Sequence, residues 1–261
     1  MTMSAARRRV EAALVPVKLP VAAFMGNALR RRAIDTTAPS ARRSCLVLAP
    51  HPDDETLGCG ATLMRKVDAG VAVTVVVISD GATWPPDQAP ADNIATRDAE
   101  LRASCRLLGL PDDAVIHLSF PETELDRAGP ALVDAVADAV RAHAPDDVFV
   151  TSEADPHADH AALGVAARTA LAGGRARMLV YPIWQWTRPR SWNRTLAAAS
   201  PAETVSTDGY LERKATAMAV FRSQMSAAAG GNQKEGLTPG FLAHFTAGSE
   251  IFFPVPLEPG R

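Results

Sequence analysis

Short apolar runs alternate with longer amphipathic stretches through most of the chain, and this alternation predicts its secondary structure. Strands are predicted near residues 45–49, 71–78, 114–118, 147–151 and 177–181. Helices are predicted near residues 58–69, 92–108, 130–143, 159–172 and 208–227. Strands that alternate with helices are typical of a parallel sheet, whose crossovers are right-handed. The pattern therefore predicts an α/β fold, a three-layer Rossmann-like sandwich with a mostly parallel central sheet.

Polar residues rich in histidine and aspartate follow two of these strands. Residues 51–55 read His-Pro-Asp-Asp-Glu after the first strand, and residues 155–160 read Asp-Pro-His-Ala-Asp-His shortly after the fourth. In an open α/β sheet, ligands bind at the carboxyl ends of the strands. We therefore expect the two motifs to converge at one edge of the sheet, where their side chains can form a metal site.

The residue types in these motifs suit a catalytic metal ion. A catalytic zinc takes three nitrogen or oxygen ligands and keeps a fourth position for water. His51, Asp54 and His160 can supply two nitrogens and one oxygen, and Zn²⁺ is favoured although Fe²⁺ also suits such ligands. Asp53 then stands beside the metal as a carboxylate that can take a proton from water.

The second motif holds two further candidate catalytic residues. His157 lies three residues before His160, so the two rings share nearly one helical face and only one of them needs to bind metal. The other ring can stabilise a developing oxyanion or protonate a leaving amine. Asp159 can hold one of these rings in a fixed tautomer.

Taken together, the motifs resemble those of the PIG-L (LmbE-like) deacetylases. These are zinc-dependent enzymes that remove acetyl groups from molecules containing N-acetylglucosamine. The resemblance extends to Ser79-Asp80-Gly81 after the second strand, to Arg97-x-x-Glu100, and to Lys214 followed by Phe221-x-Ser223-Gln224. It spans roughly residues 44–253 in the same order.

The resemblance implies a role for each residue of the motifs. It makes His51, Asp54 and His160 the metal ligands, with Asp53 as general base and His157 as the electrostatic or general-acid histidine. It also makes Arg97 a contact to sugar hydroxyls. Some members carry an aromatic hydroxyl just before the second motif, where this chain has Asp155-Pro156. A tyrosine that polarises the amide is therefore not expected at this position.

Further candidates for substrate binding lie at other strand ends. Asp80 follows the second strand, although an Asp-Gly pair is also ordinary turn chemistry. Three tryptophans, including Trp184 and Trp186, lie between residues 184 and 192, just after the fifth strand. Indole rings offer flat faces to sugars, but the same rings could instead seal a loop onto the core. We expect Asp80, Trp184 and Trp186 to contact the substrate.

Composition narrows the range of functions. The chain has 261 residues, 47% of them hydrophobic, which is enough for a substantial core. Its net charge of −2 argues against nucleic-acid binding, and three scattered cysteines indicate a reducing, cytoplasmic setting. No G-x-G-x-x-G follows the first strand, so a nucleotide-binding transferase is disfavoured. The oligomeric state is left open.

Charge separates the first 43 residues from the rest. Residues 1–43 hold nine basic and two acidic residues, a net charge of +7. Lys18 interrupts the apolar run between Leu14 and Met25, which is too short to span a bilayer. We therefore predict a basic helical extension over residues 1–43 that packs on a deacetylase domain over residues 44–261. Loose contact of this extension with an acidic membrane surface would make the protein membrane-peripheral.

Three functions remain after these exclusions. The leading one is zinc-dependent removal of an N-acetyl group from an amino-sugar conjugate or a glycolipid, with Asp53 as the base. The first alternative is an amidase that acts on a larger acyl or thiol conjugate. The second is a catalytically silent protein that binds sugar or metal. Asp53 argues against the silent protein, because simple binding has no use for a base.

Overall fold

The computed structural model describes residues 24–188, 201–225 and 236–257. Within these residues, eight strands form one sheet, in the order β1-β7-β8-β6-β5-β2-β3-β4. The strands are β1 (Ile34–Asp35), β2 (Cys45–Ala49), β3 (Val73–Ser79), β4 (Val115–Phe120), β5 (Asp147–Thr151), β6 (Arg177–Tyr181), β7 (Glu203–Ser206) and β8 (Ser249–Val255). The helices are α1 (24–32), α2 (Thr37–Ala41), α3 (Asp54–Asp68), α4 (Pro90–Leu108), α5 (Leu125–Ala128), α6 (Pro130–His143), α7 (Ala158–Leu171), α8 (Leu211–Met218) and α9 (Pro239–Leu242).

The sheet is mixed but mostly parallel, which confirms the predicted α/β sandwich. All neighbouring strands run parallel except where β8 pairs with β6 and with β7. Strand β2 pairs with β3 on one side and with β5 on the other. The chain therefore changes direction across the sheet between β2 and β5, and ligands of such folds bind at this point.

The central strands are continuous apolar runs because helices cover both of their faces. Every residue of β2, β3 and β5 is buried. Helix α3 follows β2 directly, and twelve of its fifteen residues are buried, including both residues of its Gly58 and Gly60 pair. A Cβ at Gly58 would come within 2.3 Å of the Tyr181 ring, so the glycine permits the helix to approach strand β6 closely.

Three strands were not predicted, and one predicted helix ends earlier than expected. Strands β1, β7 and β8 lie together at one side of the sheet and are held by partners distant in sequence. Strand β8 also contains Pro254 and the buried Glu250, both uncommon in strands. The helix predicted over 208–227 is shorter, since α8 ends at Met218. The fully buried Phe221 then leaves helical geometry before a 3₁₀ turn at Arg222–Gln224.

The described part of the N-terminal extension packs on the sheet. Strand β1 pairs with β7, and the buried Lys66 ammonium donates to the carbonyls of Ser40 and Arg43 at 2.6 and 2.7 Å. Residues 1–23 of the predicted extension lie outside the described residues. None of the described helices combines the length and the apolar character needed to cross a membrane.

Candidate active site

Strands β2 and β5 bring the two polar motifs together. The strands are neighbours in parallel register, and each motif begins in the loop at the carboxyl end of its strand and runs into the first turn of the next helix. Helix α7 then begins at Ala158, so His160 lies in its first turn. A Cβ at Gly164 would lie 2.8 Å from the carbonyl oxygen of Thr151, so this glycine allows α7 to lie against the end of β5.

One atom from each of the three predicted metal ligands contributes to a nearly equilateral triangle. Asp54 Oδ2 lies 3.3 Å from His51 Nδ1 and 3.3 Å from His160 Nε2, and the two ring nitrogens are 3.2 Å apart. Atoms bound tetrahedrally to zinc at about 2.0–2.1 Å are separated by about 3.3–3.4 Å. The spacing and the chemistry of these three buried side chains therefore fit one divalent metal ion.

A second, overlapping set consists of three histidines. Ring nitrogens of His51, His157 and His160 all lie within 4.8 Å of one another, close enough to hold a metal ion. However, His157 Nδ1 accepts a hydrogen bond at 3.3 Å from the backbone N–H of Asp159, as the N-cap of helix α7. In the neutral ring the proton then lies on Nε2, which makes that nitrogen a donor and not a ligand. This tautomer favours the set with Asp54.

Asp159 holds His51 in place. Its Oδ2 lies 3.0 Å from His51 Nε2, and the same carboxylate accepts the backbone N–H groups of Thr123 at 2.8 Å and Leu125 at 3.2 Å. When His51 Nε2 donates to this carboxylate, its Nδ1 can face Asp54 and His160. Asp159 therefore orients a candidate ligand and ties it to the loop that follows β4.

Asp53 differs from its neighbour Asp54 in having an open carboxylate. Among the described residues its carboxylate accepts no hydrogen bond, although its backbone N–H donates to Glu55 at 3.1 Å. Asp53 lines the cavity beside the ligand triangle. Its backbone has a φ of +141°, a conformation that costs energy in a residue with a side chain. Burial, with the adjacent Asp54 charge, raises the pKa of Asp53 well above its usual range. These features suit a proton acceptor.

Burial also changes the titration of the histidines. It lowers the pKa of His160 to about 3, and burial together with nearby His51 lowers the pKa of His157. Burial acts in the same direction on His51, but hydrogen bonds to Asp159 and Asp54 outweigh it and raise the pKa to about 10. A cation that binds the triangle therefore competes with a proton.

The triangle lies at the wall of a cavity of about 450 Å³, which is a size typical of small-molecule sites. Apolar side chains line part of it, among them Trp84, Ile183, Trp184 and Leu237. Trp184 also stacks on Phe241, with ring centroids 4.7 Å apart. The cavity therefore has room for a group much larger than an acetamide.

Arg97 lines this cavity, but its guanidinium is already engaged. It donates to Glu122 at 2.7 Å and to the carbonyl of Pro52 at 3.5 Å, and only 2% of Arg97 is exposed. Glu122 was not predicted from the sequence. It also accepts two hydrogen bonds from Thr83 and lies 3.9 Å from His51 Nε2. Its position could have indicated it, because Glu122 is an acidic residue just after the carboxyl end of strand β4.

Two other predicted contacts lie away from the cavity. One Asp80 oxygen accepts the backbone N–H groups of Ala82 and Glu122, each at 3.1 Å, so this side chain shapes the loops. Trp186 is 1% exposed and stacks on His244 with centroids 4.9 Å apart, and the Arg30 guanidinium also lies over its ring. Neither residue lines the cavity, and their contact with substrate stays a prediction. Residues 189–192, which hold the third tryptophan of that segment, lie outside the described residues.

Helix α4 supports the walls of the cavity through one polar face. Asn93 donates to two carbonyls of loop 82–85 at 2.9 and 3.0 Å, while Arg97 pairs with Glu122. Glu100, one turn further, binds the turn after helix α8. Spacings of three and four residues place these side chains on the same helical face.

Comparison with known proteins agrees with this arrangement. The model of the family described as PIG-L, GlcNAc-PI de-N-acetylase, matches residues 46–171, a range that contains both polar motifs. The chain is 31% identical over 134 residues to the uncharacterized deacetylase YaiS of Escherichia coli strain K12, covering 49% of this chain and 68% of that protein. It is 29% identical over 208 residues to the 2′-N-acetylparomamine deacetylase of Streptomyces fradiae, covering 70% and 74% respectively.

The fold is also similar to a solved structure. N,N′-diacetylchitobiose deacetylase from Pyrococcus horikoshii superposes with a TM-score of 0.63 at 21% identity, over 98% of this chain and 94% of that one. At this identity, the likeness shows a shared fold. With the family match over both motifs and the relative from Escherichia coli, it leads to one conclusion: the chain belongs to the PIG-L family.

Proposed function

We propose that this protein is a zinc-dependent deacetylase that hydrolyses the acetamide of an amino-sugar conjugate. The observation that carries the proposal is the triangle of His51 Nδ1, Asp54 Oδ2 and His160 Nε2, with sides of 3.2–3.3 Å, beside the open Asp53 carboxylate. The family membership supports it, and so do the names of two similar proteins, which are deacetylases of paromamine and chitobiose derivatives.

In this proposal the triangle holds the ion, and its neighbours move protons. A divalent ion held there supplies Lewis acidity toward the acetamide carbonyl and toward water. Asp53 accepts a proton from the attacking water, whose oxygen forms a bond to the carbonyl carbon. His157 directs its Nε2 proton toward the developing oxyanion or the leaving nitrogen. The C–N bond then breaks, and the products are acetate and the free amine.

The remaining side chains position these groups. Asp159 keeps the His51 ring oriented, and Arg97 holds the motif through the Pro52 carbonyl. The cavity beyond the triangle accommodates the rest of the conjugate. Arg97 and Trp184 are the predicted substrate contacts that line it.

The test is a metal analysis combined with an amine-release assay. The full chain, loaded with Zn²⁺ or Fe²⁺, is incubated with N-acetylparomamine, N,N′-diacetylchitobiose and N-acetylglucosaminyl-inositol. We expect about one ion per chain and release of a primary amine from at least one probe. Bound metal without release from any of them would contradict the deacetylase and leave the larger-acyl amidase and the silent binding protein.

The second candidate function is an amidase that removes an acyl group larger than acetyl. The apolar wall of Trp84, Ile183, Trp184 and Leu237 favours it, because these side chains offer no hydrogen bonds to a sugar through their aliphatic and ring faces. A series of glucosamine amides with two to eight carbons in the acyl chain separates the candidates. A rate of hydrolysis that is highest for the acetyl amide and falls for longer chains supports the deacetylase. A rate that rises with chain length supports the larger-acyl amidase.

A further inference from the structure

A short relay of hydrogen bonds connects helix α4 to the cavity wall. The Glu100 carboxylate accepts the backbone N–H of Ser223 at 2.9 Å and its hydroxyl at 2.6 Å. The amide nitrogen of Gln224 donates to the same Ser223 hydroxyl at 2.8 Å. Gln224 lies at the end of this relay and lines the cavity beside the ligand triangle.

The relay determines which way the Gln224 amide faces. A carboxylate only accepts hydrogen bonds, so the Ser223 hydroxyl must donate its single proton to Glu100. The hydroxyl oxygen can then only accept from Gln224, which requires the amide nitrogen, and not the amide oxygen, at that contact. The opposite orientation would place two acceptors against each other at 2.8 Å.

The amide oxygen of Gln224 is left for another partner. Among the described residues it has no hydrogen bond, although only 7% of the residue is exposed. Because this oxygen is not fully enclosed and Gln224 lines the cavity, a hydrogen-bond donor on a bound molecule can reach it. The hydroxyl and amine groups of an amino-sugar conjugate are donors of this kind.

We propose that Gln224 determines specificity by accepting a hydrogen bond from a hydroxyl or amine of the substrate beyond its acetamide, and that Glu100 is its positioning residue. This inference rests on the proposed deacetylase function. The contact favours conjugates that place a hydrogen-bond donor next to the Gln224 oxygen over conjugates that place an acceptor or an apolar group there.

The experiment compares the zinc-loaded full chain with Gln224→Met, which keeps the size of the side chain but lacks the acceptor. Each form is assayed on the best of the three amino-sugar probes, on its single-deoxy analogues, and on 4-nitroacetanilide, an acetamide without a sugar. We expect kcat/KM on the sugar probe to fall about tenfold, the order expected for one lost hydrogen bond, mainly through KM. We expect less than about a twofold change on the anilide, and no loss on the deoxy analogue that lacks the donor.

A double variant tests the positioning role. If Glu100 acts through Gln224, then Glu100→Gln lowers kcat/KM on the sugar probe, and adding it to Gln224→Met causes no further loss. The matched control is Asp98→Asn on the same helix, because Asp98 pairs with Arg102 and His117 and is 39% exposed. We expect this control to behave as the unmodified chain, and all variants to keep their metal and their melting temperature.

The outcomes separate this inference from the function on which it rests. Full activity of Gln224→Met on the sugar probe would overturn the inference and leave the deacetylase intact. Equal losses on sugar and anilide would overturn the specificity role, because the residue would then act on the acetamide or on the fold. Losses that add in the double variant would overturn the role of Glu100. No amine release from any amino-sugar probe would overturn the function and this inference together.

Discussion

Two adjacent carboxylates, Asp53 and Asp54, face different surroundings although they are neighbours in the chain. Asp54 opens helix α3 and directs one oxygen at both candidate ligand nitrogens, whereas Asp53 has an open carboxylate in the cavity. The positive φ of Asp53 produces this divergence, because it turns the chain sharply just before the helix. The two side chains should therefore respond differently to removal of their charge.

We predict that Asp53→Asn keeps the metal and lowers kcat by about 10²–10⁴-fold, the range of a lost acid–base group. The near-identical size of asparagine leaves the ligand triangle in place. His160→Ala serves as the contrast and should lose most of the metal. Elemental analysis and steady-state kinetics on the same samples decide between the roles, and loss of metal from Asp53→Asn would make Asp53 a ligand.

We also predict that Asp159→Asn weakens zinc binding about 10–100-fold, the usual effect of removing a partner of a ligand histidine. An asparagine amide nitrogen would face either His51 Nε2–H or the backbone N–H groups that Asp159 now accepts. The zinc affinity is measured by competition with a chromogenic chelator. Glu153→Gln is the control, since Glu153 pairs with Arg168 at the surface; equal affinities for Asp159→Asn and the unmodified chain would refute the orienting role.

At the scale of elements, helix α4 combines a structural role with the shaping of the cavity. Asn93, Arg97 and Ser104 are polar yet at most 2% exposed. Asn93 and Arg97 face loops that follow other strands, and the Ser104 hydroxyl lies 2.8 Å from that of Thr56 in helix α3. A buried polar side chain is tolerated when its hydrogen bonds are satisfied, and Arg97 meets this condition mainly through Glu122. The helix is therefore sensitive to loss of that pair.

Arg97→Ala should lower the free energy of unfolding by about 3–5 kcal/mol, the usual cost of leaving one partner of a buried pair without compensation. Urea denaturation measures this change. Arg102→Ala on the same helix is the matched control and should cost at most about 1 kcal/mol, because its pair with Asp98 is partly exposed. A loss below about 1 kcal/mol for Arg97→Ala would show that the pair contributes little to stability.

At the scale of the whole molecule, the candidate metal joins the two halves of the parallel sheet. Its proposed ligands are His51 in the loop after β2, Asp54 at the start of α3 and His160 in the first turn of α7. Strands β2 and β5, which precede them, lie on opposite sides of the point where the chain changes direction. An ion that binds only the folded chain stabilises it in proportion to the logarithm of its concentration. Metal binding and global stability should therefore be coupled.

Removal of the metal with a chelator should lower the melting temperature by several degrees, and added Zn²⁺ should restore it. Zinc at 100 times its Kd contributes about 2.7 kcal/mol, and about 2–4 °C is expected per kcal/mol in a chain of this size. His160→Ala should show no response to zinc, whereas His143→Ala, a histidine on helix α6, should respond normally. A zinc response that survives in His160→Ala would place the metal elsewhere.

The charge of the N-terminal extension leads to a separate prediction. Arg31, Arg32 and Phe24 are exposed, and residues 1–43 carry a net charge of +7. We expect the full chain to sediment with vesicles of phosphatidylserine and phosphatidylcholine, less so in high salt and hardly with phosphatidylcholine alone. Changing Arg31 and Arg32 to glutamate should weaken this binding, and Arg141→Glu on helix α6 should not. Equal binding to both kinds of vesicle would exclude an electrostatic contact.

The sequence predicted the central elements well because their signals are local. Strand β2 is an uninterrupted apolar run, strand β5 is built around the apolar residues 148–150, and turn residues follow both. Strands β1, β7 and β8 escaped prediction because their strand character depends on pairing with each other and with β6. In β8, for example, the buried Glu250 is acceptable because distant groups donate to it: Lys214 at 2.6 Å, and Ala61 and Thr62 of helix α3 at 2.6–2.8 Å.

By itself, the sequence determined the α/β alternation and the set of residues able to bind metal, because hydrophobic periodicity and short motifs are carried by neighbouring residues. Only the tertiary structure decided that β5 lies beside β2, and this adjacency forms the ligand triangle from residues about a hundred positions apart. It also decided that Trp184 and Glu122 line the cavity, whereas the Trp186 ring packs under Arg30 of helix α1. These outcomes depend on long-range packing and on competition for buried hydrogen-bond partners, neither of which leaves a local pattern in the chain.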